Sequence, residues 1–348
     1  MEPDTINNKF TEDQLEEAII ELFKNEGYDY LNGENIHRPF EQILLEDDLK
    51  QYLMNRYGDK GLKDDEISTI VSRIDYISPS PLYDGNRETY RLVNEGFILE
   101  RNNPEAEKIL VEYIDFKNPE NNIFKVVNQY SVNDKETRRP DMLVFINGIP
   151  VAIFEFKTAI EEDKTIHDAW EQINIRYARG IPKLLKFNFL SVITDGANTK
   201  MGTVFTPYEY YYSWNKVNDD EKVRDGIGSL FTMIKGAFAK DRIIKILSDY
   251  IFYPDDSKND LAIVCRYPQF FAAEKMLKSI ESHQKPNGDG KGGTYFGATG
   301  CGKTYTMLFL SRLLAVREGE KFHSPTIIVL VDREDLDDQT SELFVTRK

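Results

Sequence analysis

Apolar residues recur at Leu15, Ile19, Leu22 and Phe23 behind Thr11-Glu12-Asp13-Gln14, which has the spacing of a capping box. This pattern predicts an amphipathic helix that ends near Gly27. A polar, turn-rich stretch follows, with one further helical pattern at about residues 44–57 and a loop at Ser78-Pro79-Ser80-Pro81. The period then shortens to that of a strand at residues 124–130. Two apolar runs, Met142 to Ile146 and Val151 to Phe154, flank Asn147-Gly148 and read as a hairpin. A helix from about Asp163 to Arg179 and an apolar strand at 189–194, before Asp195-Gly196, complete an order of helix, three strands, helix, strand. Residues 216–260 read as helical and charged, and 283–293, rich in Gly and Asp, as an exposed loop. Beyond it, 294–296 reads as a short strand, 304–316 as a helix with apolar Met307, Leu308, Leu310, Leu313 and Leu314, and 326–331 as a buried parallel strand. The fold class expected is therefore α/β, a mixed central sheet followed by the start of a strand, loop and helix unit, with the boundary near residue 240.

The length of 348 residues favours two domains. Cys265 and Cys301 lie far apart without metal-ligand spacing, which excludes a disulfide framework and a zinc module and fits a reducing, cytoplasmic setting. No basic start with an apolar run opens the chain and no segment has the apolar length of a spanning helix, so no membrane partner is expected. A net charge of -15 argues against a broadly basic nucleic-acid surface. Charge is local, however: Arg138, Arg139, Arg176, Arg179, Lys183 and Lys186 flank the hairpin and suggest a small basic cleft on an acidic body.

The hairpin carries the first candidate chemistry. Phosphodiester cleavage calls for a divalent cation, which prefers carboxylate oxygens, and Asp141 and Glu155 can supply them. Glu155 and Lys157 are two apart on one strand and share a face, so the ammonium stands where it can orient or deprotonate the attacking water. The carbonyl of Phe156 can add an oxygen. Register sharpens this reading. If Asn147-Gly148 were a strict two-residue turn, Asp141 would face Phe154 and Glu155 would point to the other side of the sheet. One extra residue is therefore predicted between Ile146 and Val151, as a three-residue loop or a bulge near Pro150, where a proline cannot donate to the ladder. A carboxylate of the first helix is expected to complete the metal site, Glu16 ahead of Glu12 and Glu17.

The second motif, GATGCGKT, runs from Gly297 to Thr304. Gly297, Gly300 and Gly302, with Thr299 and Cys301 between them, let backbone N–H groups wrap the phosphates of a nucleotide such as ATP. Lys303 would meet the outer phosphates and Thr304 the Mg2+ ion. Gln269, upstream in CRYPQFFAAEK, is placed to hydrogen-bond adenine or to serve only as a polar residue at a helix start. No acidic strand end at the distance an ATPase motor needs follows Thr304, so this chain is expected to bind nucleotide without hydrolysing it and to be the N-terminal portion of a longer protein.

With RRPD and GIPVAIFEFK in the hairpin, FLSVITDGAN, RYPQFFAAEK and GATGCGKT, the chain resembles the restriction (motor) subunit of type I restriction-modification enzymes along essentially its whole length. The resemblance implies a PD-(D/E)xK, RecB-like nuclease over residues 1–240 and the N-terminal part of the first RecA-like lobe of a superfamily 2 helicase over 241–348. It implies catalytic roles for Asp141, Glu155 and Lys157, with Mg2+ and ATP as cofactors. The partners implied are double-stranded DNA and the methyltransferase and specificity subunits. In that class a glutamine is often followed four residues later by a tyrosine, whereas here Gln172 is followed by Arg176 at four and Tyr177 at five. Five positions along an α-helix place the second residue about 140° around, so Gln172 with Arg176 is expected to meet DNA and Tyr177 to lie in the core. Two other readings are a motor fragment of a different defence or repair nuclease-helicase and an inert DNA- or protein-docking module, the latter favoured if Lys157→Ala leaves cleavage intact.

Overall fold

The computed structural model describes residues 11–103, 105–157, 165–224, 226, 228–254, 260–317 and 321–330. The chain divides into two compact units, Met1–Ile244 and Lys245–Lys348.

The first unit is built on a six-stranded mixed sheet. Its strands are β1 (Asp29–Asn32), β2 (Phe124–Asn128), β3 (Met142–Ile146), β4 (Ile149–Phe156), β5 (Leu190–Thr194) and β6 (Thr199–Gly202). Spatial order follows chain order. β1 lies parallel to β2, β2, β3 and β4 run antiparallel in turn, β4 is parallel to β5, and β6 returns antiparallel. Every residue of β3, β4 and β5 is buried, as expected for central strands covered on both faces.

Helix α1 (Glu12–Asn25) begins with the expected capping box, Thr11 Oγ1 accepting from the Gln14 N–H and the Gln14 side chain accepting from that of Thr11. Its buried face is Leu15, Ile19, Ile20 and Phe23. Phe23 meets Phe154 of β4 and Phe238 edge-on at centroid separations of 5.6 and 5.8 Å, and Phe154 meets Phe238 at 5.1 Å. Three further helices, α2 (Glu46–Tyr57), α3 (Asp64–Asp75) and α4 (Leu82–Glu95), lie between β1 and β2 in sequence. The last two occupy the stretch that sequence pattern marks as turn-rich. Helix α5 (Ile166–Glu171) continues as a π-helical turn at Gln172–Tyr177 and ends in Ala178–Gly180. Asp163 lies outside the described residues. The helical reading of 216–260 holds only from Gly228–Thr232, which winds on through Met233–Ala237, and for Lys240–Asp249. Turn formers Asn218, Asp219 and Asp220 keep the preceding segment irregular.

The hairpin is a two-residue turn with a bulge behind it. Ile146 faces Ile149 and Phe145 faces Pro150, but Val144 faces Ala152, so Val151 is the extra residue. Asn147 has φ of 50° and Gly148 of 78°, the left-handed pair a tight hairpin needs. The tip is buried. Asn147 Oδ1 accepts from the Ile123 N–H at 2.8 Å, and its Nδ2 donates to Tyr113 O at 2.9 Å and Asn122 Oδ1 at 2.8 Å. A Cβ on Gly148 would lie 2.2 Å from the Leu45 carbonyl, so only glycine lets the hairpin enter against α2.

In the second unit, Ile251–Phe252 pairs with Ile263–Val264, and helices α6 (Tyr267–His283) and α7 (Lys303–Arg312) follow. Tyr250, Phe270 and Phe309 form its aromatic centre. The expected strands at 294–296 and 326–331 are not formed among the described residues. A parallel strand needs neighbours for its backbone groups, and the described part of this unit offers those stretches none. Ile328 and Leu330 are accordingly exposed, contrary to the buried strand expected there, and Val331 lies outside the described residues. No helix among the described residues is long and apolar enough to cross a membrane.

Candidate active site

The bulge at Val151 moves the register by one, so that Met142 faces Phe154 and the next pair along is Asp141 with Glu155. Both carboxylates therefore share a face of the sheet, the arrangement the sequence demanded. Asp141 Oδ2 accepts a hydrogen bond from the Phe156 N–H at 2.6 Å. Lys157 Nζ donates to Glu155 Oε1 at 3.0 Å and to Phe156 O at 2.7 Å. Glu155 is fully buried and Lys157 nearly so.

Burial dominates the electrostatics. It pushes the Asp141 carboxyl up to about 6, against the Phe156 N–H and the Lys157 ammonium, with Glu12 adding to the rise. Burial also drives the Glu155 carboxyl well above its ordinary value, and the neighbouring Asp141 adds to this. Two carboxylates held together in an apolar strand end resist ionising together, and a cation relieves both. The donor set suits Mg2+. Glu155 Oε1 and Phe156 O already converge on one cationic nitrogen, and both are hard oxygen donors of the kind that ion prefers.

Helix α1 contributes differently from expectation. Both oxygens of Glu16 are engaged by amides, Oε1 by Asn128 Nδ2 at 2.6 Å and Oε2 by Gln129 Nε2 at 3.0 Å. Glu12 is the α1 carboxylate whose charge bears on Asp141. Among the described residues no group of three or more His, Cys, Asp or Glu is gathered as a metal cluster.

Gln172 and Tyr177 do share a helix face, which corrects the expectation from α-helical geometry. The segment is π-wound, so residues five apart stack. Gln172 Nε2 donates to the Tyr177 hydroxyl at 2.8 Å, and that hydroxyl donates to Glu155 Oε2 at 3.1 Å. Tyr177 is in the core, as expected, and at the site as well. Burial, with the Glu155 charge beside it, raises the tyrosine's pKa and keeps it a donor.

The basic flank is thinner than the sequence suggested. Lys186 is buried, its ammonium bonded to the carbonyls of Asp75 and Ile77, so it belongs to the packing of α3 rather than to a cleft. Arg138 pairs with Glu136, and Arg139 Nη1 pairs with Glu34 Oε1 at 3.0 Å, all of them exposed. Arg176 and Arg179 are exposed on α5's continuation.

In the second unit Gly300 and Gly302 both take φ of 79°, and a Cβ at Gly297 would lie 2.8 Å from Cys301 Sγ. Gly302 leads directly into α7, so the N–H groups of its first turn face the loop. Lys303 Nζ donates to Gly297 O at 3.0 Å and Ala298 O at 3.1 Å, folded back over the loop. Gln269 is buried, its Oε1 accepting from the Arg266 N–H at 2.8 Å and its Nε2 donating to Gly302 O at 3.2 Å. Thr299 and Gly300 are exposed and Thr304 is half-buried. Both cysteines are free.

Two family models match separate parts of the chain. Residues 268–348 match the SWI2/SNF2 ATPase family. The chain is 30% identical to the putative type I restriction enzyme MjaIXP endonuclease subunit of Methanocaldococcus jannaschii, over 97% of this chain and 34% of that protein. It is 24% identical to the type I restriction enzyme HindI endonuclease subunit of Haemophilus influenzae, over 97% and 33%. It is 26% identical to the SsaAORF53P endonuclease subunit of Staphylococcus saprophyticus, over 95% and 32%. The chain thus spans about a third of the length of these relatives. Residues 9–210, more than half of the chain, match the family described as type I restriction enzyme R protein N terminus, and the chain belongs to that family.

Proposed function

We propose that residues 1–240 are a PD-(D/E)xK, RecB-like endonuclease domain and that residues 241–348 are the N-terminal part of the first RecA-like, superfamily 2 translocase lobe. In the whole enzyme this chain supplies magnesium-dependent cleavage of double-stranded DNA, coupled to ATP-driven translocation. Methyltransferase and specificity subunits supply modification and sequence recognition, in the cytoplasm. The observation that carries this reading is the bulged hairpin, which brings Asp141, Glu155 and the Phe156 carbonyl to one place beside Lys157.

Asp141 and Glu155 would hold the metal ion, with the Phe156 carbonyl as a further oxygen. A divalent ion held there would supply neutralisation of charge on the scissile phosphate and its leaving oxygen. Lys157, its ammonium freed from Glu155 and Phe156 when those oxygens hold the metal, orients the attacking water beside them. Arg138, Arg139, Gln172 and Arg176 are the DNA contacts, and phosphates displace Glu136 and Glu34 from the first two. In the second unit the Gly297 to Thr304 loop cradles the phosphates of ATP. Lys303 swings from its carbonyl partners to the outer phosphates, Thr304 meets Mg2+, and Gln269 reads adenine.

The deciding experiment is DNA cleavage and translocation by the reconstituted complex carrying Asp141→Ala or Lys303→Ala. The first variant is expected to translocate without cutting, and the second to do neither. Retained cutting with Asp141→Ala would overturn the nuclease assignment.

A further inference from the structure

The turn at Gln172–Tyr177 is held from two sides. On one, Tyr177 joins Gln172 to Glu155. On the other, Trp170 Nε1 donates to Thr206 O at 3.0 Å and Asn174 Nδ2 to Val204 O at 3.1 Å, while the Tyr211 hydroxyl donates to Asn174 Oδ1 at 3.2 Å. Trp170 and Asn174, four apart, have the spacing of neighbours on an ordinary α-helix, whereas Gln172 and Tyr177, five apart, do not. An α-helix through this stretch could satisfy the first set or the second, but not both. The π turn satisfies both, and it does so past Ile175 and Arg176, two exposed residues that take part in neither set.

We propose that the segment between Gln172 and Tyr177 holds one residue more than the site needs, that the π turn absorbs this surplus, and that Tyr177 is thereby a positioning residue that orients Glu155. The role of Tyr177 rests on the nuclease reading, since it takes Glu155 as a metal-binding carboxylate. The helix at Gly228–Thr232 also runs into a π turn, but among the described residues its side-chain hydrogen bonds to other segments reach Ala197 and Thr199 and none reaches Asp141, Glu155 or Lys157. The turn at Gln172–Tyr177 does, through Tyr177.

Three variants test it: deletion of Ile175, insertion of an alanine after Ile175, and Tyr177→Phe. The measurements are the thermal midpoint of the chain alone, Mn2+ binding to the chain by electron paramagnetic resonance, and the Mg2+ concentration for half-maximal cutting by the reconstituted complex. The deletion is expected to melt with the wild type and bind Mn2+ equally well, because the helix closes to an α-helical turn with the glutamine and tyrosine four apart. The insertion and Tyr177→Phe are expected to weaken Mn2+ binding by about tenfold and to raise the Mg2+ requirement by about the same factor, the scale of losing a partner that orients a ligand. For Tyr177→Phe, the maximal rate at saturating Mg2+ is expected to stay close to wild type, a split that a general loss of folding would not give. The proposal is overturned if the deletion is as damaging as the insertion, or if Tyr177→Phe leaves the metal requirement unmoved. Failure of the nuclease reading would show separately, as Mn2+ binding unaffected by Asp141→Ala. The thermal midpoints of the deletion and the insertion would still decide whether the residue is surplus.

Discussion

Asp141 and Glu155 face each other across the hairpin only because Val151 has no partner on β3. The pairing places two buried carboxyls in mutual repulsion, and the cost falls on the folded state. The Asp141 carboxyl titrates at about 6 when folded against an ordinary 3.8. Between those values the folded chain binds more protons than the unfolded one. Stability contributed by this group is therefore full at low pH and is lost as pH rises through the window from about 4 to about 6. Asp141→Asn, which can still accept from the Phe156 N–H, is expected to be more stable at pH 7.5 without divalent cation, by up to about 3 kcal/mol at two pKa units, with a correspondingly higher thermal midpoint, and to have no such benefit near pH 4. Added Mg2+ should stabilise the wild type and not the variant. Melting curves at the two pH values, with and without Mg2+, check both statements, and a destabilised variant at pH 7.5 would contradict the first.

Lys157 already bridges Glu155 and the Phe156 carbonyl, so its replacement removes a cation from a buried acidic pair as well as a contact to water. Lys157→Ala is expected to reduce cutting by the reconstituted complex by about 10²–10⁴-fold, the range for losing a positioned proton-handling group, while translocation continues. Lys157→Arg keeps charge but not the compact ammonium geometry and should recover little. Initial cleavage rates at saturating Mg2+ separate this from a weakened metal site, because extra metal cannot restore the lost side chain.

The buried hairpin tip sets the precision of the site, since β3 ends and β4 begins there. Asn147→Ala removes three hydrogen bonds, two of them fully buried, and leaves the Ile123 N–H and Tyr113 O without that partner. A loss of about 3 kcal/mol is expected. Gly148→Ala combines a left-handed φ with a backbone collision at Leu45 and should be at least as damaging. Urea unfolding is the measurement. A shift of midpoint with an unchanged slope is the expected form.

The hairpin, both carboxylates, Lys157 and even the bulge were legible in the sequence, because strand alternation has a period of two and a wrong register flips every side chain. The capping box of α1 was legible for the same local reason. What escaped was set by long-range partners. β1, with the sequence DYLN, has little apolar content and becomes a strand only by lying parallel to β2. Glu16 looks free on a helical wheel, yet Asn128 and Gln129 claim both its oxygens. Lys186 reads as surface charge until the carbonyls of Asp75, at the end of α3, and Ile77, just past it, meet its ammonium. At 3.6 residues per turn Tyr177 falls away from the face of Gln172, whereas the π turn brings the two together.

Gln269 offers the last test, because its two contacts allow two outcomes. Its Oε1 accepts from the Arg266 N–H at the start of α6, and its Nε2 reaches the Gly302 carbonyl beneath the phosphate loop. If the residue reads adenine, Gln269→Ala should weaken binding of an ATP analogue by about tenfold, the equivalent of one lost hydrogen bond of about 1.4 kcal/mol, and leave a GTP analogue unaffected. If it only fixes the start of α6, both analogues should weaken together and the thermal midpoint should fall without nucleotide. Lys303→Ala calibrates the assay, since it should abolish binding of both. Fluorescent ATP and GTP analogues titrated against the wild-type chain and the two variants give the ratio that decides, and equal losses for the two bases would remove Gln269 from the adenine site.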